Sequence, residues 1–297
     1  MRVLVTGGEG FAARHARNAF AARGWETVSA DVAGSPDIRM DLQDAASVRA
    51  AVETARADAI LHLGGIAFVP TAWEKPSLAF DVNAAGTMRL LEAVRAAAPA
   101  TRVLCVTSAE IYGNAAAGGA PVKEDAPLVP DNLYGATKAA ADMAALAYAK
   151  HFALAVTTAR PGNHIGPGQN PSFVTSAFAS RVKAIAEGRE TRLAVGNLEQ
   201  PRDFTDARDV VEAYACILER GEPGTAYNIA HGERVTTGEI LRILQEIAWT
   251  HAVPERDERY WRPTDRHAVL DTARIRSLGW RPAIPLVQSL RDLYESL

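Results

Sequence analysis

The sequence is poor in cysteine, and this scarcity excludes several classes of protein. Its 297 residues include only Cys105 and Cys216, each of which stands alone in an apolar segment. Two such cysteines predict buried, reduced thiols rather than a disulfide framework. No HExxH or CxxC spacing occurs and the 7 histidines are scattered, so we expect no metal site.

Long apolar runs and an excess of one charge are also missing. No stretch of 18 apolar residues occurs, so we expect no transmembrane helix. A strand that begins at Arg2 leaves no room for a signal peptide, and a cytoplasmic protein is expected. The formal net charge of −3 gives no electrostatic reason to expect nucleic acid or an anionic membrane as a partner. Any anionic ligand must therefore be held by a local group of arginines.

Short apolar segments alternate with helical segments through the first half of the chain. This alternation predicts an α/β fold with a Rossmann-type doubly wound parallel sheet, which binds ligands at the carboxyl ends of its strands. We predict strands over residues 2–6, 26–30, 37–40, 59–63, 101–107 and 153–159. Helices are predicted from the first turn to about residue 23, over residues 81–98 and around Tyr134.

The character of the sequence changes at a polar, turn-rich segment over residues 160–170. Beyond it we predict helices over 173–188, 210–220, 236–250, 270–278 and 286–297, and strands over 191–195 and 225–230. Residues 202–209 precede the helix over 210–220 and are assigned to neither a strand nor a helix. The expected organisation is a cofactor-binding domain over residues 1–165, completed by about 205–231. A smaller α/β substrate domain would comprise residues 166–204 and 232–297.

A glycine-rich turn follows the first strand directly. Gly7 permits a tight turn, and Gly10 lets the backbone approach a pyrophosphate at the N-terminus of the following helix. Ala13 stands where a third glycine is common. Such turns are frequent in many proteins, but a strand–turn–helix at the start of an α/β pattern is typical of dinucleotide binding.

Several residues near the ends of later strands fit the same interpretation. Asp31 ends the second strand, where a carboxylate accepts hydrogen bonds from ribose hydroxyls and repels a 2′-phosphate. This favours NAD(H), with NADP(H) as the open alternative. Asp41 and Leu42 follow the third strand, where an acid can meet the adenine amino group. Asn83 would hold a strand end or a water near the nicotinamide, or it would cap a helix.

Tyr134 and Lys138 form the expected acid–base pair. They are four residues apart, so on a helix they share one face, and the lysine should lower the pKa of the phenol. Ser108 follows the strand 101–107, and its hydroxyl can donate to a substrate carbonyl. Glu110 would act as a base or orient a sugar hydroxyl. The alternative is an accidental pair on a surface helix. Because the chain holds only 7 Tyr and 5 Lys, this spacing seldom arises by chance.

Taken in order, these motifs resemble the extended short-chain dehydrogenase/reductase family that acts on nucleotide sugars, over nearly the whole chain. The resemblance rests on Thr6–Phe11, Asp31, Asn83-x-x-Gly86-Thr87, Ser108-x-x-x-Tyr112-Gly113, Tyr134-x-x-x-Lys138, Arg160-Pro-x-Asn163, Arg202-Asp-Phe and Arg262-Pro-x-Asp265. It implies substrate contacts at Ser108, Glu110, Asn163, Arg202 and Arg262. It implies cofactor contacts at Gly7, Gly10, Phe11, Ala12, Asp31, Asp41, Leu42, Leu63, Gly64, Gly65, Asn83, Tyr134, Lys138 and Pro161.

Within that family, residues 163–169 and 196–206 look most like GDP-6-deoxy-D-mannose reductases, which reduce GDP-4-keto-6-deoxymannose to GDP-D-rhamnose. The resemblance implies hydride transfer with Tyr134 as proton donor, a GDP-linked sugar as substrate, and a homodimer formed by the helix of Tyr134 and the helix after Thr87. Gly162 departs from the pattern, because the relatives usually carry phenylalanine there.

Three alternatives stay open at this point. A 4,6-dehydratase would use Glu110 in water elimination, although Ala109 stands where the dTDP-glucose enzymes carry aspartate. A 4-epimerase would share Ser108, Tyr134 and Lys138. A catalytically silent nucleotide-sensing relative would be expected to lose the Tyr134–Lys138 pair.

Overall fold

The computed structural model describes residues 1–113, 115, 120–261 and 269–297. Its strands are β1 (Arg2–Thr6), β2 (Glu26–Asp31), β3 (Ile38–Arg39), β4 (Ala59–His62), β5 (Arg102–Val106), β6 (Val156–Pro161), β7 (Asn163–Ile165), β8 (Leu193–Val195), β9 (Pro201–Asp206), β10 (Ala226–Ile229), β11 (Arg234–Thr236) and β12 (Pro254–Arg256). Its helices are α1 (Phe11–Ala22), α2 (Ala45–Ala55), α3 (Val69–Glu74), α4 (Pro76–Phe80), α5 (Gly86–Ala97), α6 (Leu133–Phe152), α7 (Val174–Ala186), α8 (Ala207–Arg220), α9 (Thr237–Ile247), α10 (Ala273–Ser277) and α11 (Leu286–Glu295).

Seven parallel strands form the main sheet, in the order β3-β2-β1-β4-β5-β6-β10. Val5 of β1 pairs with Ser29 of β2 on one side and with Leu61 of β4 on the other. The strand order therefore reverses at β1, which opens a crevice at the carboxyl ends of the strands. The predicted α/β, Rossmann-type fold is confirmed.

Helices cover both faces of this sheet, which is why its strands are apolar on both sides. On one face α1 and α8 pack around Phe20 and Tyr214, in the same core as Cys216. On the other face α2, α5 and α6 pack around Leu90 and Cys105. Both cysteines are buried and unbridged, as predicted. Among the helices of the described ranges, none is long and apolar enough to cross a lipid bilayer.

A smaller unit follows β6. In it β9 runs parallel to β7 and antiparallel to β11, while β8 pairs with β12. Helices α7, α9 and α11 close a second apolar core around Phe178, Leu241 and Leu290. The Thr236 and Glu239 side chains form a capping box that begins α9. The limits predicted for the two domains stay a prediction.

Two segments to which the sequence assigned no strand contain strands. The turn-rich segment 160–170 includes β7, and most of the segment before α8 belongs to β9. Asp203 and Thr205 are buried in β9, and Asp203 accepts hydrogen bonds from the amides of His231 and Gly232 at 3.0 and 2.7 Å. Phe204 is the one apolar residue among the four that are buried in β9, so the strand shows no apolar alternation by which the sequence could indicate it.

Some predicted helices are shorter or interrupted. The helix predicted over 81–98 is a π-helical turn, Asp81–Ala85, followed by α5. The helix predicted over 270–278 is reduced to α10, because Leu270 instead forms a strand-like bridge with Val122. The strand predicted over 153–159 begins only at Val156, since Ala153 ends α6 in a left-handed conformation, with φ of 54°.

Candidate active site

The amino end of α6 carries the predicted acid–base pair. The Asn132 side chain caps the helix by accepting from the amide of Gly135 at 2.8 Å. Tyr134 and Lys138 lie one turn apart on the inward face, and each side chain is largely buried beside the carboxyl ends of the strands. The structure therefore brings the two predicted residues to one wall of the crevice.

Tyr134 keeps its proton in this environment. The pKa of the phenol is raised to about 12, chiefly by burial and to a smaller extent by the nearby Glu110 carboxylate. A hydrogen bond with the Ser108 hydroxyl acts in the opposite direction on this pKa but does not outweigh burial. The predicted lowering of the Tyr134 pKa is thus wrong for this arrangement, because the cost of placing a phenolate among buried groups dominates.

Lys138 points to the end of β5 instead of donating to the phenol. Its Nζ donates to the carbonyl of Val106 at 3.1 Å. Burial lowers the pKa of the ammonium to about 8, and the neighbouring Cys105 only partly opposes that change. A Cβ added to Gly65 would lie 3.4 Å from Nζ, so the lysine also borders the glycine pair after β4.

Ser108 and Glu110 follow β5 at the same edge of the sheet. Ser108 caps a short 3₁₀ turn, Ala109–Ile111, and its Oγ accepts from the amide of Glu110 at 3.2 Å. The Glu110 carboxylate accepts from the Asn132 side chain at 2.8 Å. The residue that caps α6 therefore also holds Glu110, which fixes the spacing between Ser108, Glu110 and Tyr134.

The glycine turn between β1 and α1 has the shape that a dinucleotide pyrophosphate requires. Gly7 has a φ of +66°, and a Cβ on it would lie 2.8 Å from the backbone nitrogen of Gly64. Only glycine tolerates both that conformation and that close approach. Gly10 precedes α1 and offers no capping side chain, so the first amides of α1 keep the anion-binding character of a helix N-terminus.

Asp31 ends β2 and lines the same crevice as Tyr134. Its carboxylate accepts hydrogen bonds from the amides of Glu9, Val32 and Ala33 at 3.1, 2.7 and 3.1 Å. These amides hold the carboxylate in place next to the glycine turn. Asp31 remains an acceptor at the position that the sequence assigns to the adenosine ribose.

Asn83 holds the segment that follows the end of β4, which is one of its predicted roles. Its Oδ1 accepts from the amide of Ile66 at 2.7 Å, and its Nδ2 donates to the carbonyl of Ile66 and to Thr137. The side chain is buried behind Gly65 and does not line the crevice. It ties the segment after β4 to α6, so any effect on a ligand passes through those elements.

The second unit supplies the opposite wall. Asn163 begins β7, where its Nδ2 donates to the carbonyl of Asp203 at 3.5 Å. Arg202 lies in β9, and its Nη1 donates to the carbonyl of Pro201 at 3.0 Å. Both side chains line the crevice. Arg262, the second predicted arginine, lies outside the described residues.

The crevice has a volume of about 1480 Å³, large enough for two ligands side by side. Apart from Asn83 and Arg262, it brings together all the predicted site residues: Gly7, Gly10, Phe11, Ala12, Asp31, Asp41, Leu42, Leu63, Gly64, Gly65, Ser108, Glu110, Tyr134, Lys138, Pro161, Asn163 and Arg202.

Other residues of the crevice were not predicted. Phe68 and Phe173, from opposite walls, meet edge to face with ring centroids 5.9 Å apart. Gln169 and Tyr214 also border the crevice. Gln169 lies in the segment whose likeness to the reductases was noted, which could have indicated it. Tyr214 belongs to an amphipathic helix and appears in the sequence only as a core residue.

A parallel sheet with this strand order, a glycine turn after β1 and a Ser–Tyr–Lys group at the strand ends together define an extended short-chain dehydrogenase/reductase. A family model described as GDP-mannose 4,6 dehydratase matches residues 37–293, and the chain belongs to that family.

Individual relatives agree with this assignment and differ in their reactions. A GDP-6-deoxy-D-mannose reductase of Pseudomonas aeruginosa is 34% identical over 239 residues, which cover 80% of this chain and 79% of the relative. The structure of RMD from the same species, complexed with NADPH, has a TM-score of 0.90 at 32% identity and covers 99% of this chain and 98% of that one. A Thermus thermophilus UDP-glucose 4-epimerase complexed with NAD has a TM-score of 0.87 at 30% identity, covering 100% and 98%.

Proposed function

We propose that this chain is a reductase that uses NADH to reduce the 4-keto group of a nucleotide-linked 4-keto-6-deoxyhexose, converting GDP-4-keto-6-deoxymannose to GDP-D-rhamnose. The observation that carries this proposal is the Tyr134 phenol, which burial keeps protonated and which is hydrogen bonded to Ser108 at the crevice. A reductase needs a proton donor at this point, and a phenol with a raised pKa is a donor throughout the neutral range. Similarity to the Pseudomonas reductase supports the same reaction.

The roles of the chain's residues follow from this reaction. A reduced nicotinamide bound at the strand ends would supply the hydride to C4 of the sugar. Tyr134 Oη then gives its proton to the carbonyl oxygen, which has received the electron pair of the C=O bond. The Ser108 hydroxyl donates a second hydrogen bond to that oxygen. Lys138, next to Gly65, holds the nicotinamide ribose, and its charge stabilises the phenolate until solvent restores the proton.

The cofactor would lie along the glycine turn. The backbone at Gly7 and Gly10 holds the pyrophosphate at the start of α1, and Asp31 accepts from the adenosine ribose. The fixed carboxylate of Asp31 repels a 2′-phosphate, so NADH is preferred to NADPH. Asp41 and Leu42 surround the adenine, while Leu63, Gly64 and Pro161 form the floor beneath the nicotinamide.

The nucleotide sugar would lie against the second unit. Arg202 and Arg262 neutralise its diphosphate, a task that suits planar guanidinium groups with several donors. Asn163 donates to a phosphate oxygen. Because the chain has no overall positive charge, binding of this anion depends on that local group.

We also propose that two copies associate through α5 and α6. Met88 on α5 and Met143 on α6 are 40% and 62% exposed, although both helices are otherwise packed into the main core. Exposed apolar side chains on two helices that pack against each other would suit contact with a second copy of the same helices.

A GDP-mannose 4,6-dehydratase is the second candidate, and Glu110 is the observation that favours it. The Glu110 carboxylate lies close enough to Tyr134 to raise its pKa, and it lines the crevice. A dehydratase requires a carboxyl group near the sugar to remove a proton during water elimination. A tightly bound oxidised cofactor would then be expected to copurify with the protein.

One experiment separates the candidates. The purified protein is incubated with GDP-4-keto-6-deoxymannose and either NADH or NADPH, while absorbance at the reduced nicotinamide band and the sugar products are followed. Loss of absorbance with formation of GDP-D-rhamnose is expected. If neither reduced cofactor is consumed, the reductase proposal is wrong. Conversion of GDP-mannose or a UDP-hexose without added cofactor would indicate a dehydratase or an epimerase instead.

A further inference from the structure

Gly162, between β6 and β7, is a glycine that the fold itself does not require. Among the glycines of the described ranges, ten adopt a positive φ, which other residues rarely tolerate. Nine more would bring an added Cβ to within 3.1 Å of a neighbouring atom. Of these described glycines, only Gly162 has neither feature, because the nearest atom to its added Cβ would be the carbonyl oxygen of Asp203 at 3.7 Å. Packing within the chain therefore does not explain the glycine.

Glycine also carries a cost at such a position. Where the native backbone suits other residues, glycine gives the unfolded chain more conformational freedom than alanine does, and the folded state is less stable as a result. The absence of a side chain at Gly162 therefore calls for a benefit other than stability.

Gly162 lies in the crevice, near the residue expected to hydrogen bond to the substrate carbonyl. The amide of Thr107 donates to the carbonyl of Ala159 at 2.8 Å, so the ends of β5 and β6 run side by side. Ser108 follows β5 by two residues, and Gly162 follows β6 by one. Both residues line the crevice, and Gly162 is only partly buried. A ligand at Ser108 therefore lies close to the position without a side chain.

The open position faces the wall that is expected to hold the substrate. An added Cβ on Gly162 would be bordered by the carbonyl oxygen of Asp203 at 3.7 Å, the carbonyl oxygen of Ile229 at 3.8 Å and the Cβ of Ala230 at 3.9 Å. Asp203 belongs to β9 of the second unit, which also carries Asn163. None of these atoms belongs to β1, α1 or β4, the elements next to the predicted pyrophosphate and nicotinamide sites.

We propose that Gly162 is a specificity-determining residue, and that the space left by its missing side chain receives the hexose of the nucleotide sugar beside the reacting carbonyl. The inference rests on the proposed function, because it requires a nucleotide sugar in the crevice. The carbonyl oxygens of Asp203 and Ile229 suit sugar hydroxyls. Each accepts a hydrogen bond within the chain, from Asn163 and from the Gly162 amide, and each has a second lone pair.

The experiment compares Gly162→Ala and Gly162→Val with the matched control Gly221→Ala. Gly221 does not line the crevice, and an added Cβ on it would lie 2.6 Å from the carbonyl oxygen of Ile217. Dissociation constants are measured by calorimetry for GDP, GDP-D-rhamnose and NADH. Because GDP lacks the sugar, the difference between the first two ligands isolates the hexose. Thermal unfolding of each ligand-free protein is recorded in parallel.

For Gly162→Ala we expect GDP-D-rhamnose to bind about tenfold more weakly, because a methyl group occupies volume that the hexose needs. Gly162→Val should weaken it further. Binding of GDP and NADH should stay at the wild-type level in both variants. The melting temperature of Gly162→Ala should not fall, since alanine suits the backbone there. Gly221→Ala should show the opposite pattern, with a lower melting temperature and wild-type binding of all three ligands.

Unchanged binding of GDP-D-rhamnose by both Gly162 variants would overturn the inference, and so would equal weakening of GDP or NADH. A melting temperature of Gly162→Ala that fell as in Gly221→Ala would show that the fold requires the glycine, which also contradicts the inference. These outcomes leave the proposed function standing. If the wild-type protein bound neither GDP nor GDP-D-rhamnose, the proposed function itself would fail, and this inference with it.

Discussion

Arg160 of β6 and Asp142 of α6 form a buried ion pair with two hydrogen bonds, Nη2 to Oδ2 at 2.5 Å and Nε to Oδ1 at 3.1 Å. Asp142 lies one turn beyond Lys138 on α6. The same guanidinium donates from Nη1 to the Tyr112 hydroxyl at 2.8 Å. One arginine therefore fixes both the helix of Tyr134 and the segment that follows Ser108 to the sheet.

Breaking this pair should destabilise the protein strongly. Asp142→Asn leaves the buried Arg160 charge uncompensated, and we expect the free energy of unfolding in urea to fall by roughly 3–5 kcal/mol. Glu53→Gln is the matched control, because its partner Arg49 and Glu53 itself are 64% and 48% exposed. That exposed pair should contribute roughly 0–1 kcal/mol. Similar losses in the two variants would show that burial of the Arg160–Asp142 pair has no special weight.

The proton donor can be tested by removing one oxygen atom. Tyr134→Phe should lower turnover roughly 10²- to 10⁴-fold, since general acid catalysis is lost, while NADH binding stays close to that of the wild type. Tyr112→Phe removes a buried hydroxyl that does not line the crevice, and it should retain most of the turnover. Steady-state rates and calorimetry measure the two effects. Tyr134 would not be the donor if its phenylalanine variant stayed active.

The lowered pKa of Lys138 predicts an alkaline limit to activity. The ammonium has a pKa of about 8, so it is charged below that pH and loses its proton above it. We expect kcat/KM, which reports the free enzyme, to be flat from pH 6 to 7 and to fall above pH 8. Tyr134, with a pKa of about 12, stays protonated over this range.

Lys138→Arg is the control for this pH profile. A guanidinium stays charged beyond pH 10, so the variant should be slower but free of the fall near pH 8. If kcat/KM of the variant fell near pH 8 as in the wild type, the fall would be due to a titrating group other than Lys138.

Asp31 should determine the choice between cofactors. Asp31→Ser removes the carboxylate that faces a 2′-phosphate, and we expect the preference for NADH over NADPH in kcat/KM to narrow on the order of tenfold or more. Asp37→Asn serves as the control, because Asp37 accepts from Ser29 in the same loop but does not line the crevice. Its cofactor preference should be that of the wild type. If Asp31→Ser kept the wild-type ratio of kcat/KM for NADH to that for NADPH, Asp31 would not be the residue that binds the ribose.

The proposed dimer makes a prediction about mass in solution. Met143→Glu places a charge on the exposed side of α6, and sedimentation analysis should show monomers where the wild type gives dimers. Trp249→Glu alters a side chain that is 92% exposed at the end of α9, away from that surface, and should leave the dimer intact. A wild-type protein that sediments as a monomer would contradict the proposal directly.

Local spacing made part of the site predictable. Tyr134 and Lys138 meet because residues four apart on a helix share a face, and Ser108 joins them because parallel strands end at one edge. Asn83 was harder, since its partners Ile66 and Thr137 are 17 and 54 residues away. The pKa of Tyr134 could not be predicted from the pair alone, because its largest cause is burial by the surrounding chain.

The fold, like the site, was predictable where local sequence patterns determine it and not where distant contacts do. Apolar segments with helices between them indicated the main sheet, whereas β9 was missed because its buried Asp203 and Thr205 are polar and interrupt the apolar alternation expected of a strand. Tyr214 carries no mark in the sequence that separates it from the other core residues of α8. Its position at the crevice depends on how α8 packs against the sheet.

The place of β10 has a consequence for synthesis of the chain. The outer edge of β6 is covered only by residues 226–229, which emerge from the ribosome after the intervening strands and helices from β7 to α8. Until then the nascent sheet ends in an uncovered strand, the kind of edge that pairs with other chains. A chain truncated before β10 would therefore expose the six-residue edge of β6, whereas in the full chain the edge strand on this side is β10, which has only four residues.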